Sequence, residues 1–128
     1  MQILKTKWLA RFSRHEQIKD ANLREAIERA EGGLIDADLG GGLIKQRVAR
    51  QGQGRSGGYR MVVAYRAKSR AVFLYAFAKN ERENIDQDEL AELRKVGSNW
   101  LNAPPQKIAK AIEEGVLQEV DLDEQKDT

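Results

Sequence analysis

The stretch from residue 59 to residue 78 sets the tightest limit on what this chain can fold into. It holds two runs rich in β-branched and aromatic residues, "YRMVVAYR" at 59 to 66 and "AVFLYAFA" at 71 to 78, joined by "AKSR". A link that short suits a hairpin, so the runs predict adjacent antiparallel strands. The second run is apolar on both faces. A strand of that kind belongs in the interior of a sheet that is covered on both sides.

A third run, "LIKQRVAR" at 43 to 50, alternates, with Ile44 and Val48 on one face and Lys45 and Arg47 on the other. Helical signals surround these strands. Residues 2 to 5 read as a short first strand, and Thr6 then caps a helix running to about His15, with Trp8 and Phe12 four apart. Asp20 reads as the N-cap of a second helix carrying Leu23, Ala26, Ile27 and Ala30, which Gly32 and Gly33 end. The short link between these helices predicts an αα-hairpin. Asp86 and Glu89 form a capping box, with Ile85 and Leu90 as its hydrophobic staple, for a helix over 85 to 96. Pro104 and Pro105 open a last helix bearing Ile108 and Ile112. The order predicts an α+β fold: an N-terminal αα-hairpin packed on a small antiparallel sheet, with C-terminal helices. A length of 128 residues fits one domain, placed at 1 to 117, with 118 to 128 expected as an acidic, flexible tail.

Charge separates the middle of the chain from the rest. Residues 39 to 80 contain nine Lys or Arg and no Asp or Glu, whereas the remainder carries all 20 acidic residues. A basic segment on an otherwise acidic chain predicts a polyanionic partner. Arg47, Arg50, Arg55 and Arg60 fall within fourteen residues, on two strands and their link. Arginine presents a planar donor fork that grips phosphate oxygens in pairs, so these residues, with Lys45, are candidates for nucleic-acid binding. Against that reading, some of them can instead pair with helix carboxylates such as Glu16 or Glu31. Lys79 and Arg82 sit where the central strand ends, a position that often carries function. Tyr59, Tyr65 and Phe77 can stack bases or pack in the core. The chain has no cysteine and a single histidine, His15, which excludes thiolate and multi-histidine metal sites. His15 has no evident orienting partner and reads as a surface residue. No apolar run is long enough to cross a bilayer, and a cytoplasmic protein is expected.

Gly52, Gly54 and Gly57 match the dinucleotide pattern G-x-G-x-x-G. That pattern needs a helix after it and an acidic residue about 20 positions on. Here a strand follows, and no Asp or Glu occurs between residues 39 and 80. The run therefore reads as a pliable connection between strands, and no cofactor is expected.

The motifs "SGGYRMVVAYR" and "VFLYAFAKNERENI" together resemble the RelE/ParE toxin superfamily of type II toxin–antitoxin systems, most closely its HigB-like RelE branch. The likeness covers roughly residues 6 to 97, with 98 to 117 as a helical extension. It implies an mRNA interferase, a metal-independent endoribonuclease that cuts mRNA on the ribosome and halts translation. It also implies a cognate antitoxin, expected to be of helix-turn-helix type. Arg60 and Lys79 match basic positions of the family motif, and Arg55 matches one shortly before the strand. Arg60, Lys79 and Arg82 are therefore the expected catalytic residues, and Lys45, Arg47, Arg50, Arg55 and Tyr65 the expected RNA-binding ones. Lys79 serves as base if neighbouring cations lower its pKa, and otherwise as a phosphate clamp. The chain departs from some relatives, which have an arginine where Asn80 stands and a tyrosine or histidine near the C-terminus. The general acid and base are left open by that departure. A gyrase inhibitor of the ParE kind and a non-catalytic binding module are the alternatives.

Overall fold

The computed structural model describes residues 1–50, 54–78 and 84–120, with backbone alone for 54–56. Among these residues the order is β1 (Gln2–Thr6), α1 (Lys7–His15), α2 (Asp20–Glu31), β2 (Ala37–Gly40), β3 (Leu43–Arg50), β4 (Gly54–Arg66), β5 (Arg70–Ala78), α3 (Gln87–Asn102), α4 (Pro105–Glu113) and β6 (Leu117–Glu119). The strands form one six-stranded sheet in the order β2-β3-β4-β5-β1-β6. β5 lies between β4 and β1, the interior position its apolar faces call for.

The α+β class is as expected, but two details differ. The sheet is mixed: β1 runs parallel to β5, while the other neighbours are antiparallel. Strands so far apart in sequence reach each other through a long crossover, which permits parallel pairing. There is also no αα-hairpin. α1 packs on β5 and β1, and α2 packs on β3. Each helix buries its apolar side against the sheet: Leu9, Leu23, Ala26 and Ile27 share a core with Ile44, Val48, Tyr59, Met61, Val63 and Phe73. The opposite face carries a second core, in which Leu43, Val62, Ala64, Val72 and Leu74 meet Leu90, Leu101, Ile108 and Ala111 of α3, α4 and their surroundings.

Local signals explain most boundaries. The Thr6 hydroxyl accepts from the Leu9 N–H at 3.2 Å and starts α1. At α3 the Asp86 carboxylate accepts from the Glu89 N–H at 2.8 Å, while Glu89 accepts from the Asp86 N–H at 3.3 Å, the reciprocal box the sequence predicts. Asp20 is not the N-cap of α2. Lys19 holds that position, its N–H bonded to Asn22, and Asp20 instead forms an ion pair with Lys5 at 2.6 Å. At the chain's far end, β6 pairs with β1, and Val120 is buried beside it.

The glycine-rich segment is part of a strand rather than wholly a connection, since β4 begins at Gly54. Gly58 is needed for space. A Cβ there would lie 2.1 Å from the Val48 carbonyl oxygen and 2.8 Å from the Arg50 nitrogen, where the β3–β4 register shifts. The Gly40–Gly42 turn is different, because all three residues have positive φ, which only glycine adopts without strain.

Candidate nucleic-acid interface

The strand register places the basic residues in rows. Arg47 pairs with Arg60, and Arg60 pairs with Phe77. One step along, Lys45 pairs with Val62, and Val62 with Tyr75. Directly paired residues point to the same side of a sheet, as do residues two apart on one strand. Lys45, Arg47, Arg60, Tyr75 and Phe77 therefore share the face that α3 and α4 cover further along. Arg60 is buried at 8% exposure, while Arg47 is exposed. Arg60 is thus a buried arginine with a second arginine paired opposite it across β3 and β4, in a setting that screens charge weakly. Like charges directly opposite each other destabilise a strand pair. The Lys45 ammonium donates to the Asn84 side chain at 3.2 Å. Among the described residues, no carboxylate pairs with the side chain of Lys45 or Arg47.

A bulge in β5 puts the aromatics here. The register steps from Val62↔Tyr75 to Val63↔Phe73, so Leu74 is an extra residue. Without it, strict alternation would turn Tyr75 and Phe77 to the other face. Tyr75 and Phe77 lie 6.4 Å apart between ring centres. Trp8 of α1 stacks on Tyr75 at 4.7 Å and on Phe12 at 5.3 Å, and Phe12 meets Tyr59 edge-on at 5.4 Å.

Two of the expected RNA-binding residues are elsewhere. Tyr65 is five residues from Arg60 and faces α2. Its hydroxyl donates to Glu31, and burial, followed by that hydrogen bond, pushes its pKa up to about 12. Arg50 lies over the Tyr59 ring at 5.7 Å, also on the opposite face. There the Tyr59 hydroxyl donates to Glu16 at 2.5 Å, and His15 Nδ1 lies 2.8 Å from the same carboxylate. The Tyr59 hydrogen bond first, then His15, with a smaller pull from Arg50, hold the Glu16 pKa below its ordinary value. The adjacent Glu16 thus gives His15 a hydrogen-bond partner, and the ring is 86% exposed, the surface position expected of it. The backbone of Arg55 lies in β4. Lys79 and Arg82 lie outside the described residues.

Arg66 and Arg70 of the basic segment have a structural task. They pair across the turn end of the β4–β5 hairpin. Arg66 donates to the Leu101 carbonyl and the Asn102 side chain, both at 2.9 Å. Arg70 donates to the carbonyls of Trp100 and Ala103, both at 2.8 Å, and to the Gln2 side chain at 3.0 Å. These forks satisfy carbonyls left open at the C-terminus of α3.

Among the described residues, no helix is long and apolar enough to cross a membrane. A family model described as the RelE toxin of the RelE/RelB toxin–antitoxin system matches residues 1–120. No curated protein matches the chain.

Proposed function

Because the chain belongs to the RelE toxin family of toxin–antitoxin systems, and such toxins pair with an antitoxin, we propose that it is an mRNA interferase that cuts mRNA on the ribosome and stops translation in the cytoplasm. The observation that carries this reading is the facing pair Arg47 and Arg60, beside Lys45, Tyr75 and Phe77 on one sheet face. An RNA phosphate beside these paired arginines accepts charge-assisted hydrogen bonds from them. Tyr75, partly exposed, supplies aromatic surface beside that phosphate, as single-stranded RNA recognition requires. The motifs "SGGYRMVVAYR" and "FAKNER" support a place in the HigB-like branch as part of the same proposal.

In the proposed reaction the 2′-hydroxyl oxygen attacks the adjacent phosphorus. A bond forms between them, the bond from phosphorus to the 5′-oxygen breaks, and a 2′,3′-cyclic phosphate results. One proton leaves the 2′-hydroxyl and another is delivered to the departing 5′-oxygen. Fixed donors from Arg60 and Arg47, joined by Arg55, stabilise the charge that builds on the phosphoryl oxygens. Lys79 is assigned as the base or a further phosphate clamp, and Arg82 to the neighbouring phosphate. Arg50 and Tyr65 are left out of the site because they face the other way.

Induction in growing cells, with RNA ends mapped across messages, tests the reading. Growth arrest with new mRNA ends, both abolished by Arg60→Ala and reduced by Lys79→Ala, is the expected result. Arrested replication with intact mRNA would point to gyrase inhibition instead, and would reject it.

A further inference from the structure

One side of α1, running from the sheet edge at Phe12 out to solvent, carries chemistry that the Arg47–Arg60 row does not use. Trp8, Arg11, Phe12 and His15 recur at helical spacing, and with Arg14 they line a cleft of about 620 Å³. α1 contains no acidic residue, and Lys7, Arg11, Arg14 and His15 are all exposed on it. The Trp8 indole is 42% exposed, although tryptophan is a costly residue to leave in water. The cleft also continues the sheet face, because Trp8 stacks on Tyr75, which lies in the row with Lys45.

We propose that this cleft is a second nucleotide subsite, in which a base of single-stranded RNA rests against Trp8 and Phe12 while Arg11 and Arg14 hold its phosphates. Aromatic surface bordered by cations is the combination that binds single strands with little sequence preference. Positive charge, aromatic lining and continuity with the Tyr75 row favour RNA over an apolar peptide helix. The inference rests on the RNA-directed reading above and extends it: a strand held at Arg47 and Arg60 passes over Tyr75 and Trp8 onto α1.

The test uses a short single-stranded RNA with 2′-O-methyl groups, which binds but cannot be cut through its 2′-oxygen. In Trp100→Phe protein, Trp8 is the remaining indole, and its emission should change saturably as this RNA is added. By labelled-RNA anisotropy, Trp8→Ala should weaken binding by about 5- to 100-fold, the range that loss of one stacked base gives. Arg11→Gln with Arg14→Gln, at exposed positions, should weaken binding with an unchanged melting temperature. Trp8→Phe keeps an aromatic ring against Tyr75 and should retain most of the affinity, which separates lost stacking from misfolding. Unchanged affinity in both the Trp8→Ala and the double arginine variants, or no change in Trp8 emission at saturation, would overturn the subsite. So would variants that bind this RNA normally but lose the antitoxin, which would assign α1 to that protein. If the wild type cuts no mRNA yet RNA still perturbs Trp8, the interferase reading fails and the subsite stands.

Discussion

The β4–β5 hairpin region holds two cross-strand arginine pairs on one face of the sheet, and they differ in what answers their charge. At the turn end, Arg66 and Arg70 face each other, and the end of α3 answers them with the carbonyls of Trp100, Leu101 and Ala103. At the other end, Arg60 faces Arg47 of β3, whose guanidinium is exposed and meets no carboxylate among the described residues. Residue type, strand pairing and sheet face are the same. At one end the carbonyls of a helix terminus are built into the fold, and at the exposed Arg47 the matching anion is proposed to arrive as RNA. A count of basic residues in a sequence therefore overstates a binding surface until each fork has been traced to its acceptor.

Substitution experiments put that contrast at risk. The largest effect is expected from Arg47→Ala with Arg60→Ala, which should lower the rate of mRNA cleavage by about 100-fold or more, as loss of fixed transition-state donors does. Arg47→Ala alone, at an exposed position opposite another arginine, should leave the melting temperature the same or raise it, since a like-charge pair is removed. Arg66→Ala with Arg70→Ala should do the reverse. Losing charged hydrogen bonds to the α3 terminus should lower stability by about 2–3 kcal/mol in denaturant titrations, with cleavage per folded molecule unchanged. Gly58→Ala should cost about 1–3 kcal/mol by forcing β3 and β4 apart. It should also lower cleavage, because the clash with the Val48 carbonyl lies next to Arg47.

The smallest effect belongs to the opposite sheet face. Tyr59 holds the Glu16 pKa below 4.5, and Tyr65, then the Lys68 N–H, does the same for Glu31. A carboxylate depressed by folding stabilises the protein above its ordinary pKa, and that contribution is lost as pH falls through the lower, folded value. Melting temperatures should therefore drop on acidification below about pH 4.5, and Glu16→Gln with Glu31→Gln should flatten the drop. The raised Tyr65 pKa acts at the other limit. Its contribution is complete below 10 and fades as pH rises through about 12.

Much of the fold was legible in the chain. Period-two patterning and β-propensity identified β3, β4 and β5, and cap chemistry at Thr6 and Asp86 placed α1 and α3. These signals are local, so the sequence carries them. What was hidden depends on pairing. The parallel β1–β5 contact joins residues nearly 70 positions apart, such as Gln2 and Arg70. β2 is short and polar, and nothing in "ADLG" marks it before β3 is there to pair with it. In the candidate site, Arg47, Arg60 and Lys45 come together because alternation puts them on one face. The same parity turns Tyr65, an odd number of residues from Arg60, to the opposite face. Tyr75 could not be found by parity, because the bulge at Leu74 reverses it.

The most direct test of the contrast is the salt dependence of binding to single-stranded RNA. Each phosphate neutralised contributes about 0.7 to the slope of log affinity against log salt concentration. Arg47→Ala with Arg60→Ala is predicted to flatten that slope by about 0.7–1.4, while Arg66→Ala with Arg70→Ala leaves it as in the wild type. Equal flattening by both double variants, or flattening by the turn-end pair alone, would contradict the account.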